Sequence, residues 1–113
     1  MQRADEERLR DMLDAASEAA ALLGGRSVDA LRGERALSLA LAKLIEIVGE
    51  AASSVSAPRR ATIPGIPWPD VIATRNRLIH GYYSVDVQIV ADTIRNDFPP
   101  MIRELTRSLS GKS

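Results

Sequence analysis

Leu37, Leu44 and Ala51 recur at every seventh residue, and Leu41, Val48 and Val55 keep the same interval four residues out of phase. Two interleaved rhythms of this kind run an apolar stripe down one side of a helix and dictate helix-on-helix packing. The seam is too short to demand a coiled coil. It suits the long central helix of an antiparallel bundle, or a helix that pairs with its own copy. Upstream, Leu9, Met12, Leu13, Ala16, Ala20 and Leu23 step by three and four with acids and arginines between them, so residues 3 to 23 read as an amphipathic helix ended by Gly24-Gly25. Ser27 can cap the helix that carries the seam, whose weak points are Gly33 and Gly49. The only aromatic residues are Trp68, Tyr82, Tyr83 and Phe98, so buried volume must come from small and branched aliphatic side chains on helices rather than from a β-sandwich.

Residues 57 to 69 hold four of the six prolines and a glycine, and read as the one substantial loop, too short to link two domains. Pro69 suits the first position of a third helix and Asp70 its positive end, giving an expected helix from 69 to 80 that Gly81 stops. Ser84 or Asp86 can cap a fourth helix, on which Val87, Val90, Ile94, Phe98, Met101 or Ile102, Leu105 and Leu109 keep helical spacing. Pro99-Pro100 should break or kink it. The expected fold is all-α: a single domain over 1–113, built as an antiparallel four-helix up-and-down bundle, five helices if the prolines divide the last.

Charge excludes several function classes. Fifteen Lys and Arg balance fifteen Asp and Glu, leaving no overall field to attract nucleic acid or an anionic membrane. Residues 1 to 57 carry seven basic and ten acidic side chains, whereas 58 to 113 carry eight and five, so an anion site belongs in the second half. The absence of Cys removes disulfides, thiolate zinc sites and a Cys nucleophile, and a single His leaves few metal sites buildable. No apolar export region or membrane-length run of about 18 residues is present, which makes the cytoplasm the expected compartment. No cofactor is expected.

The chemistry-bearing residues lie between 75 and 82. Arg75 falls inside the apolar stripe formed by Val71, Ile72, Leu78 and Ile79, which suggests a packed stem and a guanidinium paired with a carboxylate such as Glu46 or Glu50. Asn76 and Arg77 precede His80 by four and three residues, a spacing that lets all three converge on one ligand if the helix continues. Taken singly, each has a structural explanation: an ion pair for Arg75, a surface or capping role for His80, a packed ring for Tyr82.

Together, Arg75-Asn76-Arg77-Leu78-Ile79-His80-Gly81-Tyr82 resembles the active-site signature of HEPN-domain ribonucleases, an Arg, a polar residue, a short spacer and a His. His80-Gly81-Tyr82 is similar to the His-x-Tyr extension of the HepT toxins. The resemblance extends in order through Ile45-Glu46-Ile47-Val48-Gly49-Glu50-Ala51-Ala52, Ile66-Pro67-Trp68, the 75–82 motif, Val85-Asp86 and Val90, roughly residues 8 to 106. This chain departs from the pattern in its proline-rich loop before Trp68 and in the second tyrosine, Tyr83. The resemblance implies a HEPN-like bundle and a homodimeric RNA endonuclease needing no metal, with Arg75, Asn76 and His80 catalytic. It also implies a cognate minimal nucleotidyltransferase antitoxin that adenylylates Tyr82.

The residue types fit that chemistry. Cleavage of RNA without a metal needs a base for the 2′-hydroxyl proton, a cation for charge developing on phosphorus and an acid for the departing 5′-oxygen. Arg75 suits the cation, and His80, with an ordinary pKa of about 6.5, suits proton transfer. Asn76 can orient the phosphate or nucleophile. Arg77, Arg59 and Arg60 are lesser candidates for RNA phosphate contacts. On a regular helix, five residues at about 100° each put Arg75 and His80 roughly 140° apart. Either the helix loosens before Gly81, or two subunits complete the site. Two other readings stand beside the nuclease: a catalytically silent module that binds a nucleotide or presents substrate to a nucleotidyltransferase, and a dimerisation bundle without a ligand.

Overall fold

The computed structural model of the chain describes residues 3–80 and 84–111, with Arg3, Ile79 and His80 described by their backbone alone. Helix α1 spans Arg3–Leu23. Gly24 ends it with φ +54, a left-handed conformation that costs glycine little, and its N–H closes on the Ala20 carbonyl at 3.1 Å. Ser27 does cap a helix, its Oγ accepting from the Ala30 N–H at 3.0 Å. That helix, α2 (Val28–Arg32), is little more than one turn, and the seam occupies its own helix, α3 (Arg35–Ser54). The division falls at Gly33, where the N–H groups of Gly33 and Glu34 bond three residues back, to Ala30 and Leu31.

The proline-rich stretch is not all loop. Ser56 caps a short α4 (Ala57–Ala61), with Pro58 in the first turn, where its missing N–H costs nothing. Trp68 then fastens the remainder: its indole N–H donates to the Ile63 carbonyl at 3.1 Å, and the Arg60 guanidinium lies 5.9 Å from the ring centre.

The third helix is shorter than its spacing suggests. Helix α5 covers Trp68–Thr74, and the chain leaves it by two tight turns, with Asn76 N–H bonded to Ala73 O and Arg77 N–H to Thr74 O. The Thr74 hydroxyl donates back to Asp70 O at 2.7 Å, a side-chain bond that weakens a helix from within. Ile79–His80 (β1) pairs antiparallel with Ser84–Val85 (β2), a two-residue ladder. Asp86 N–H bonds to Leu78 O at 2.7 Å, tying the end of the ladder to the turn.

Asp86 caps α6 (Val87–Asp92), its carboxylate accepting from the Ile89 N–H at 3.1 Å. The final helix then widens into a π turn over Thr93–Asp97 before continuing as α7 (Phe98–Leu109). The break in regular α-helix therefore precedes Pro99-Pro100 instead of falling on them. In a continuous α-helix those rings would press on the carbonyls of Arg95 and Asn96, and a wider turn over those residues relieves the conflict.

Long-range bonds set the directions of the main helices. Asp5, at the start of α1, accepts from the Ser56 N–H at 2.9 Å and the Ser56 hydroxyl at 2.6 Å, beside the end of α3. Ser108, near the end of α7, also lies by the start of α1, because Arg59 bridges Glu6 and Ser108. Thus α1 runs antiparallel to both α3 and α7, with α5 packed on α3. The result is an all-α bundle. Leu9, Met12, Leu41, Val48, Leu78 and Leu105 are each at most 1% exposed in one connected core, each worth roughly 1.5–3 kcal/mol over its exposed state. Of the two seven-residue rhythms, Leu41, Val48 and Val55 are buried while Leu37 and Leu44 lie at the margin. Among the described residues, no helix is long and apolar enough to cross a membrane.

Candidate active site

Two packed helices and the turn after α5 create a cleft of about 770 Å³, lined by Arg8 and Asp11 of α1, by a polar edge of α3, and by Arg75 and Asn76. Gly49 of α3 explains how Arg75 reaches it. A Cβ at that position would stand 3.2 Å from Arg75 Cδ and 3.4 Å from its Cβ, so the absence of a side chain lets the arginine stem lie flat across the helix. The glycine is therefore a seat and not merely a weak point in α3.

At the end of that stem, Arg75 Nη1 lies 2.8 Å from Glu50 Oε2. The approach is not that of a directed hydrogen bond, and Nη1 is buried with no hydrogen-bond acceptor. The pairing is Coulombic. Glu50 itself is 72% exposed, so solvent screens the pair and an incoming anion can displace the carboxylate. The other two cations of the cleft are also matched: Arg8 lies 4.0 Å from Asp11 and Lys43 3.9 Å from Glu46.

Arg75 and Asn76 thus share the cleft. Arg77 does not line it; this exposed guanidinium donates to the Thr74 hydroxyl at 3.1 Å. Because α5 ends at Thr74, the convergence of Asn76, Arg77 and His80 along a continuing helix face does not occur. The backbone of His80 pairs with Ser84, in extended conformation four residues beyond Asn76. The His80 side chain, Tyr82 and Tyr83 lie outside the described residues.

Arg59 and Arg60 are engaged elsewhere. Arg59 donates to Glu6 at 2.9 Å, Thr62 at 2.7 Å and Ser108 at 3.1 Å, while Arg60 donates to the carbonyls of Val55 and Ser53 at 3.0 and 3.1 Å. Both hold the α4 segment against the bundle. Sequence reasoning missed Arg8, Asp11 and Lys43; the visible signal was the spacing of Lys43, Glu46, Ile47, Glu50 and Ser54, which form one edge of α3. Among the described residues, no group of three or more His, Asp or Glu is arranged to hold a metal ion.

Comparison with known proteins agrees with this architecture. A family model described as "Ribonuclease HepT-like" matches residues 12–108. The chain is 31% identical to "Probable ribonuclease HepT" of Thermococcus cleftensis over 60% of its own length and 62% of the relative's. It is 25% identical to "Putative RNase MJ1380" of Methanocaldococcus jannaschii over 86% of its own length and 89% of the relative's. No solved structure gives a significant match.

Proposed function

The chain belongs to the HepT-like ribonuclease family, and from that membership we propose that it is a metal-independent RNA endonuclease, the toxin of a cytoplasmic pair whose antitoxin is a minimal nucleotidyltransferase. Arg75 takes the non-bridging oxygens of the scissile phosphate and stabilises the charge that grows there. Asn76 orients the phosphate. A His80 imidazole removes the 2′-hydroxyl proton, the 2′-oxygen bonds to phosphorus, and the bond to the 5′-oxygen breaks. That oxygen takes a proton from a second imidazole, leaving a 2′,3′-cyclic phosphate and a 5′-hydroxyl.

One His per chain makes a homodimer the simplest source of both imidazoles, with the two motifs facing one scissile bond across a twofold axis. Arg77, exposed and outside the cleft lining, is a lesser candidate, for a phosphate farther along the RNA. The antitoxin transfers AMP from ATP to the Tyr82 hydroxyl with loss of pyrophosphate, and the added bulk and negative charge compete with the RNA phosphate.

The observation that carries the reading is the seat of Arg75: a guanidinium held over Gly49 at a polar cleft and paired with an exposed carboxylate that an anion can displace. Expression alone and beside the proposed cognate nucleotidyltransferase tests it. Growth arrest alone, with rescue and an adenylyl mass increment on Tyr82 in the pair, is expected. Bulk RNA left intact by the unmodified protein would favour the nucleotide-binding module, and an adenylyl group found only on Tyr83 or a serine would overturn the Tyr82 assignment.

A further inference from the structure

The cleft beside Arg75 is longer than the motif that borders it. Besides Arg75, its lining includes two cations from other elements, Arg8 of α1 and Lys43 of α3. They stand on opposite sides of Arg75. Lys43 precedes Gly49, the seat of Arg75, by six residues, about 9 Å along α3. Arg8 lies towards the other end of that helix, because α1 runs antiparallel to α3 and Asp5, one turn before Arg8, is bonded to Ser56.

Among the described residues, each flanking cation is paired only within its own helix, Arg8 with Asp11 and Lys43 with Glu46. The separations, 4.0 and 3.9 Å, exceed hydrogen-bonding distance, and the Arg8 and Lys43 side chains are 46% and 70% exposed. Solvent screens both pairs, so a phosphate can replace either carboxylate at little cost. Arg59 and Arg60 are unlike them, being spent on joining α4 to its neighbours. A strand of RNA whose scissile phosphate meets Arg75 must also lay its adjoining phosphates along this cleft. Contacts made there hold the reacting linkage in place.

We propose that Arg8 and Lys43 bind the RNA phosphates on either side of the one at Arg75, so that three elements of the fold grip consecutive phosphates of one strand. This rests on the nuclease reading and extends it from the scissile linkage to the length of RNA engaged.

The test is binding of uncleavable 2′-deoxy oligonucleotides, from a dinucleotide to an octanucleotide, followed by fluorescence anisotropy over a range of salt. Arg8→Gln and Lys43→Gln should each weaken the octanucleotide about threefold to tenfold and lower the slope of log affinity against log salt by about one. The loss should diminish towards the dinucleotide, which carries a single internucleotide phosphate. Arg32→Gln removes the same charge from an exposed pair on α2, outside the cleft, and should change neither quantity. An unchanged slope in either cleft variant removes that residue from the site. Unchanged binding by the double variant, a loss independent of length, or an equal loss in Arg32→Gln overturns the assignment, and the nuclease reading stands if the parent still cuts RNA. A parent that binds no oligonucleotide and cuts no RNA removes both.

Discussion

Gly49 lies beneath Arg75, so close that a Cβ on the glycine would stand 3.2 Å from the arginine Cδ. The helix gives up about 1 kcal/mol of intrinsic propensity at that position to accommodate the contact. Gly49→Ala should therefore leave thermal stability unchanged or raised, because Arg75 is a flexible side chain that can shift. RNA cleavage should fall about tenfold to a hundredfold from the displaced guanidinium. Full activity in a stable Gly49→Ala protein would show that the seat of Arg75 is irrelevant to catalysis.

Glu50 occupies the anion position at Arg75, at 2.8 Å from Nη1. As an exposed partner it contributes little to folding, and Glu50→Gln should unfold at nearly the same denaturant concentration as the parent. Its removal frees Arg75 for phosphate. A 2′-deoxy oligonucleotide that cannot be cleaved should bind about threefold more tightly by fluorescence anisotropy, with steeper salt dependence. Weaker binding would mean that Glu50 orients Arg75 instead of competing for it.

Arg75→Lys separates charge from shape. Lysine keeps the positive charge but loses the planar pair of donors, so cleavage should fall about a hundredfold or more while binding of the deoxy oligonucleotide changes far less. Equal losses in both measurements would assign Arg75 to ground-state binding.

The bond between Asp5 and Ser56 makes stability depend on pH. Donation from the Ser56 hydroxyl first, and from the Ser56 N–H second, holds the Asp5 carboxyl below its ordinary 3.8, against the opposing effect of desolvation. A lowered folded-state pKa gives stabilisation that is present above 3.8 and lost as pH falls through the lower folded value. Asp5→Asn should therefore unfold at lower urea concentration than the parent at neutral pH, and the two should converge on acidification below 3.8. A gap independent of pH would place its origin in packing.

The sequence reveals the long elements because long amphipathic patterns average over local detail. Residues 3 to 23 and the Leu41-Val48 part of the stripe fold where their spacing directs, while Val55 is extended just past the helix end; Gly24 and Asp86 act as the end and the cap they resemble. The misreadings concern competition between local preference and contacts distant in sequence. Arg75 to His80 are acceptable helix residues, yet the helix ends at Thr74, where the threonine bonds back to Asp70 and the following segment finds its partners in Ser84, Val85 and Asp86. The Pro99-Pro100 pair signals a conflict with the carbonyls four residues back, but not that a π turn over Thr93–Asp97 will relieve it. Likewise, Arg59 and Arg60 resemble any exposed arginine pair until the fold brings Glu6, Ser108 and two carbonyls to them. Arg75 was legible as a partly buried cation, but its seat required the fold to bring α5 onto Gly49.

Cleavage of a labelled RNA by the purified chain in chelator, with analysis of the new ends, tests the central claim most directly. The parent protein should cut and leave 2′,3′-cyclic phosphate and 5′-hydroxyl ends, while His80→Ala, still dimeric by sedimentation, should not cut. Cleavage that stops in chelator, ends of the opposite polarity, or undiminished cutting by His80→Ala would contradict the account.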